Sequence, residues 1–134
     1  MDARIDFFGN PFAGKVLRHI NSANKLVVDS TLPAVTQELV KIRASQINGC
    51  GFCTDMHTKD AAAAGETQLR LNLVAVWREA TVFTEAERAA LELTEEGSRL
   101  ADAALISLIA IINAYNRINV INRQPAGDYV PGQF

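Results

Sequence analysis

The sequence predicts an all-α fold on three observations. Apolar residues recur at intervals of three and four almost throughout, and no stretch alternates apolar and polar positions for long. Glycine and proline are scarce, eight and four in 134 residues, too few for the turns of an all-β chain. Capping and breaking residues fall between the periodic stretches.

Each element follows from those signals. Phe12, Val16, Ile20, Ala23 and Val27 line one face of a first helix, about residues 12–28, which predicts that this face packs inward. Ser30 to Pro33 read as a break and restart, with Pro33 tolerated in a first turn that does not need its N–H. The second helix, about 33–47, stops at Asn48 and Gly49, a pair suited to left-handed C-terminal geometry. A third helix runs from Cys50 or Gly51 to Ala64, where Gly65 ends it, and a fourth from Glu66 to Arg78. Thr84 and Glu87 form a capping box that opens a fifth helix, about 85–97. The last begins near Asp102 and continues to about Val120.

That last helix is apolar on nearly every side through Leu105, Ile106, Leu108, Ile109, Ile111 and Ile112, so protein must wrap it. In so short a chain one face is expected to belong to another subunit, which predicts a homo-oligomer. The tail from Gln124, with Pro125, Gly127, Pro131 and Gly132, reads as an extended arm. There is no internal repeat and no linker, so residues 1–134 are expected to form one compact multi-helix domain.

Composition narrows the function. An apolar share of 49% is too high for a disordered chain. Thirteen basic against fifteen acidic residues, net −2, leave no basic footprint for nucleic acid. Asp2 and Asp6 stand where a signal peptide carries bases. The most apolar window, Ala101 to Ile112, is short for a bilayer and contains Asp102, so no membrane association is expected. These features predict a cytoplasmic protein. In a reducing compartment its two cysteines, Cys50 and Cys53, suit redox or metal chemistry better than a structural staple.

The segment from Glu38 to His57 carries the chemistry. With Cys50 at the N-cap of the third helix, both sulfurs sit by unpaired N–H groups and the positive end of the helix dipole, which favours a thiolate. Cys50 to Cys53 is i, i+3 and Cys53 to His57 is i, i+4, so the three share one face. His57 can stabilise a Cys53 thiolate or shuttle its proton, and the two sulfurs can close a disulfide. Glu38 projects beside the apolar stripe of the second helix, and the turn at Gly49 brings that helix back so that Glu38 approaches Cys50. Burial is expected to raise its pKa and make it a better proton acceptor. A salt bridge to Lys41, one turn on, explains Glu38 as well.

Plainer readings compete elsewhere too. The cysteines can be small buried apolar residues, or zinc ligands with His57 and either Glu38 or His19. His19 lies close to the Phe12–Val27 face and reads as a packed core residue. Trp77 reads as a core or interface aromatic, Tyr115, Asn116 and Arg117 as a buried hydrogen-bonded network, Asp55 and Lys59 as an exposed helix pair, and Glu95 with Glu96 as a solvated face.

Glu, eleven residues, Cys, two residues, Cys, three residues, His is a pattern that Glu38, Cys50, Cys53 and His57 match without a gap. It resembles the alkylhydroperoxidase D-like proteins of the carboxymuconolactone decarboxylase superfamily. The runs Ser45–Gly49, Asp55–Ala61, Val76–Glu79 and Asn113–Arg117 look like that family too, and the resemblance extends from Arg4 to Gly127. It implies an all-helical subunit assembled as a homotrimer or homohexamer. It further implies a thiol-dependent peroxidase or disulfide oxidoreductase without a bound cofactor. Cys53 would attack the hydroperoxide, Cys50 would resolve the resulting sulfenic acid into a disulfide, and His57 and Glu38 would relay protons. A lipoyl-bearing or thioredoxin-like dithiol would reset the site.

Two departures stand out. The best-studied branch has a histidine immediately before the second cysteine, where this chain has Phe52. The family also has a further helix between the equivalents of Arg99 and Ala104, so a segment is expected to be missing near Leu100 and Ala101. The decarboxylase that names the superfamily lacks the cysteine pair, so the name records fold history and not this reaction. A non-enzymatic redox sensor or oligomeric binding module is the alternative function, and a Cys/His metal site a further one.

Overall fold

A computed structural model describes residues 2–96 and 103–133. Six helices follow in order: α1 Pro11–Val28, α2 Ala34–Ile47, α3 Gly51–Ala63, α4 Gln68–Leu73, α5 Glu85–Glu96 and α6 Ala103–Asn122. No strand occurs among the described residues. The expected end of the fifth helix at residue 97, the start of the last near Asp102, and the expected missing segment near Leu100 and Ala101 lie outside the described residues.

Local chemistry sets the boundaries. Asn10 caps α1 by accepting from the N–H groups of Phe12 and Ala13, both at 3.0 Å. Thr84 and Glu87 form the reciprocal capping box: the Glu87 N–H donates to Thr84 Oγ1 at 3.2 Å, and the Thr84 N–H donates to Glu87 Oε2 at 2.8 Å. Gly49 takes φ +66° between α2 and α3, a left-handed turn that a side chain would strain. The fourth helix is shorter than its periodicity predicts. It gives way at Leu73 to a 3₁₀ turn, Val74–Val76, whose tighter winding carries Val74 and Trp77 into the core.

Helix α2 is the axis of the bundle. It packs against α3, α5, α6 and the 3₁₀ turn. Leu39 and Ile42 join Val74, Trp77, Phe83 and Leu91 on one side, while Val40 joins Val27, Ala90, Leu105 and Leu108 on the other.

The face predicted for α1 is not a core face. Phe12 is 77% exposed, Val16 and Ala23 are exposed, Ile20 is half-buried, and only Val27 is buried. The main helical neighbour of α1 is α6, and among the described residues most of its apolar stripe is left uncovered. His19 lies on the exposed surface and is not a packed core residue.

Helix α6 is half open as well. Leu105, Leu108 and Ile112 are buried, but Ile106 and Ile121 are 52% and 66% exposed. From Ala104 to Asn122 it is long and apolar enough to cross a membrane by length and composition, a longer stretch than the window read from the sequence. Yet Asn113, Asn116, Asn119 and Asn122 recur every third residue, and each is hydrogen-bonded within the chain.

The tail after α6 is extended, as expected, and is fastened to α3. Lys59 Nζ donates to the carbonyls of Gly127 at 2.8 Å and Tyr129 at 3.0 Å, and Asp55 accepts from the Gly127 N–H at 3.1 Å. Asp55 and Lys59 therefore anchor the tail as well as pairing with each other. Glu95, expected on a solvated face, instead accepts from Trp77 Nε1, Arg43 and Arg78.

Candidate active site

Cys50 occupies the N-cap of α3, and its sulfur accepts the Cys53 N–H at 3.3 Å. The two sulfurs form a disulfide with a Cα–Cα separation of 5.4 Å. Both are deeply buried, Cys50 at 2% and Cys53 at 0% exposure. His57, one turn beyond Cys53, is buried on the same helix.

Glu38 arrives from α2 and makes the salt bridge to Lys41 together with a contact to His57. Its Oε2 lies 3.1 Å from His57 Nδ1, and its Oε1 accepts from Lys41 Nζ at 2.7 Å. Its oxygens are thus engaged by His57 and Lys41, where the sequence suggested an approach to Cys50. The expected rise in its pKa is reversed. Burial pushes the carboxyl up, but the hydrogen bond and charge of His57, with those of Lys41, outweigh it and hold the group below its ordinary 4.5. Glu38 is therefore a carboxylate at neutral pH and can only accept, so the His57 Nδ1–H donates to it. That bond orients the ring, and whenever the imidazole is neutral Nε2 is the acceptor nitrogen.

Three site residues escaped the sequence reading. Asn119, from α6, donates its Nδ2–H to Cys53 Sγ at 3.2 Å. Asp60 lies one turn past His57, and Tyr129 donates its hydroxyl to Asp60 Oδ1 at 2.6 Å. Burial and then the Asp60 bond push the Tyr129 phenol up to about 12, so it remains a donor. The three-residue repeat of asparagines was the one signal available for Asn119. Asp60 lies in the family-like run Asp55–Ala61 without a role read for it, and nothing local marks Tyr129.

Glu38, His57 and Asp60 bring ligand atoms within 4.8 Å of one another. Within the chain these groups already have partners. Lys41 already places a cation on Glu38, His57 bonds the same carboxylate, and Tyr129 occupies Asp60. The zinc set read from the sequence is not assembled either: the two sulfurs are joined to each other and His19 is exposed on α1.

A cavity of about 560 Å³ lies between α1, α2, α3, α6 and the tail. Phe8, Leu17, Phe52, Met56 and Ile118 make its apolar walls, and Glu38, His57, Asp60, Asn119 and Tyr129 its polar end. Phe52, standing where the family's best-studied branch has histidine, faces this cavity and contributes surface instead of a proton-transfer group. Neither cysteine lines it.

An all-helical bundle with a Cys-x-x-Cys disulfide at a helix start, backed by a Glu–His pair from the same bundle, defines an alkylhydroperoxidase D-like protein. The chain belongs to the carboxymuconolactone decarboxylase family, whose profile matches residues 14–96. It is similar to the uncharacterized protein YdfG of Bacillus subtilis, 33% identical over 90% of this chain and 94% of the relative. It is also similar to the uncharacterized protein YnjA of Escherichia coli, 36% identical over 52% of this chain and 38% of that protein. Among solved structures it resembles ATU0492 from Agrobacterium tumefaciens, a protein of unknown function to which a role in antioxidant defence of the AhpD kind has been attributed. The TM-score is 0.83 and the identity 30%, with 96% of this chain and all of the other covered.

Proposed function

We propose that the protein is a thiol-dependent peroxidase that reduces hydroperoxides at the expense of an external dithiol. The observation that carries this reading is the Cys50–Cys53 disulfide at the start of α3, with the Glu38–His57 pair alongside it. In the reduced state His57 Nε2 takes the Cys53 proton and the thiolate attacks a peroxide oxygen. The O–O bond breaks, the same proton goes to the departing alkoxide, and Cys53 becomes a sulfenic acid. The Cys50 sulfur then attacks Cys53, the hydroxyl leaves with the Cys50 proton as water, and the disulfide forms. A lipoyl-bearing or thioredoxin-like dithiol returns two hydrogens by exchange and is itself oxidised.

Cys53 is the attacking sulfur in this scheme, Cys50 the resolving one, and Glu38 and His57 the relay. The open faces of α1 and α6 support assembly with further copies as a homotrimer or homohexamer, and the composition supports a cytoplasmic location. Steady-state hydroperoxide consumption with a small dithiol is the test. Cys53→Ser should abolish turnover, and Cys50→Ser should leave a sulfenic acid on Cys53 that dimedone traps for mass spectrometry. Turnover by the Cys53→Ser variant at the native rate would remove the mechanism. The burial of both sulfurs favours a second reading, a redox sensor in which the disulfide changes packing. Such a protein reacts once with peroxide and stops.

A further inference from the structure

The Glu38–His57 pair opens onto the cavity, but the sulfur it serves does not. Cys53 has no exposed surface and Cys50 almost none. Asn119 joins the two compartments, since it lines the cavity and its amide holds Cys53 Sγ at 3.2 Å. We infer that Asn119 is a catalytic residue with two tasks. It donates a hydrogen bond that stabilises the Cys53 thiolate, and its side chain is the gate through which a reactant in the cavity reaches that sulfur. This inference rests on the redox reading of the cysteine pair.

The physical case is direct. A neutral amide N–H pointed at a sulfur stabilises the anion more than the thiol, because hydrogen bonds to ionised acceptors are the stronger kind. Among the described residues Asn119 supplies the α6 hydrogen bond to that buried sulfur. The charged and titratable groups joined to Cys53 or lining the adjoining cavity are Cys50, His57 and Asp60 on α3, Glu38 with Lys41 from α2, Lys25 and Asp29 from the end of α1, Tyr115 from α6 and Tyr129 from the tail. Asp60 and Tyr129 close the far side of the relay. From α6 Asn119 brings an uncharged donor, while the Tyr115 hydroxyl bonds Asn21, so altering Asn119 leaves the charge inventory intact unless a charge is introduced on purpose. Its neighbours in the asparagine stripe are committed elsewhere: Asn116 to Ser45 and Asn48, and Asn113 to Asn48.

The test reads thiol chemistry and needs no peroxide, so its failure is separate from failure of the peroxidase reading. Cys50→Ser isolates Cys53 and keeps a good N-cap residue on α3. In that background the rate of alkylation by iodoacetamide is followed against pH. The midpoint gives the Cys53 pKa and the high-pH plateau gives access. Asn119→Asp keeps the side chain's size and exchanges a donor for a negative charge. It should raise the midpoint by about one pH unit and leave the plateau unchanged. Asn119→Ala removes donor and bulk together. It should raise the midpoint by a smaller amount and raise the plateau several-fold, with Asn119→Ser giving the same pattern should the alanine variant fail to fold. A midpoint unmoved by Asn119→Asp overturns the donor role. A plateau unmoved in the alanine and serine variants overturns the gate.

Discussion

Helices α2 and α6 pack side by side and distribute their residues in opposite senses. α2 is mixed in composition, yet eight of its fourteen residues are buried, among them Thr36, Gln37, Lys41 and Ser45. α6 is the most apolar helix, yet only 22% of its apolar window is buried. On α6 the asparagines turn inward while Ile106 and Ile121 turn outward. Position in the bundle, together with a partner for every polar group, decides burial here; mean hydropathy does not. Gln37 shows how α2 manages it, donating to the Leu32 carbonyl at 2.8 Å and lying near those of Val27 and Val28. Among the described residues, no buried side-chain nitrogen or oxygen lacks a partner.

The sharpest way to break the comparison is to remove a partner inside α2. Lys41→Met keeps the volume but takes the cation from Glu38 Oε1 and leaves the carboxylate only its bond to His57; the Glu38 side chain is 19% exposed against 9% for Lys41. Urea unfolding should show a loss of about 2–3 kcal/mol, slightly under the range for fully buried pairs. The double variant Glu38→Gln/Lys41→Met should lose much less than the sum of the single changes. Additive losses would mean that the pair is not coupled.

The polar side of α6 comes next. Asn116 is fully buried, donates to Ser45 Oγ at 3.1 Å and accepts from Asn48 Nδ2 at 2.9 Å. Asn116→Leu makes α6 more apolar and should nonetheless cost about 1–2 kcal/mol, because Ser45 and Asn48 each lose one buried hydrogen bond while keeping those to Lys41 and Asn113. A stabilising result would show that hydropathy, and not satisfaction, governs this interface.

What the sequence made legible follows the same division. The limits of the second and third helices, the capping box at Thr84 and the N-cap position of Cys50 depend on residues within one turn, and these were readable, whereas the 3₁₀ turn that cuts the fourth helix short was not. The approach of Glu38 to His57 was half readable, because Gly49 forces the hairpin but does not fix where the carboxylate points. The sign of the Glu38 pKa change was misread, since burial alone is visible in a pattern while the charges of His57 and Lys41 must be placed in space. Asn119 with Cys53 and Tyr129 with Asp60 are separated by 66 and 69 residues, and no periodicity encodes such contacts. The face of α1 was misassigned because an apolar stripe states that it wants cover without stating which chain supplies it.

The ionisation of Glu38 gives a smaller, pH-linked effect. Its pKa is lower folded than the ordinary 4.5. Its charge therefore adds stability that is fully present above about pH 4.5 and is lost as pH falls through the lower folded value. Urea unfolding at several pH values should show wild type losing stability more steeply than Glu38→Gln below that point. Parallel curves would mean that the carboxylate gains nothing from its two partners.

The outward face of α6 should respond least in stability and most in assembly. Ile121→Ser, alone or with Leu26→Ser on α1, replaces side chains 66% and 77% exposed in the single chain. Changes at such positions shift subunit stability by about 0.5 kcal/mol or less. If further copies of the chain cover these faces, as proposed, the same substitutions remove apolar area from the interface. Analytical ultracentrifugation should then show wild type as an oligomer and the double variant as folded single chains. An undiminished oligomer in the double variant would place the interface elsewhere. A wild type that sediments as a single chain would mean that these isoleucine and leucine side chains face water, and that α6 tolerates an apolar surface without a partner.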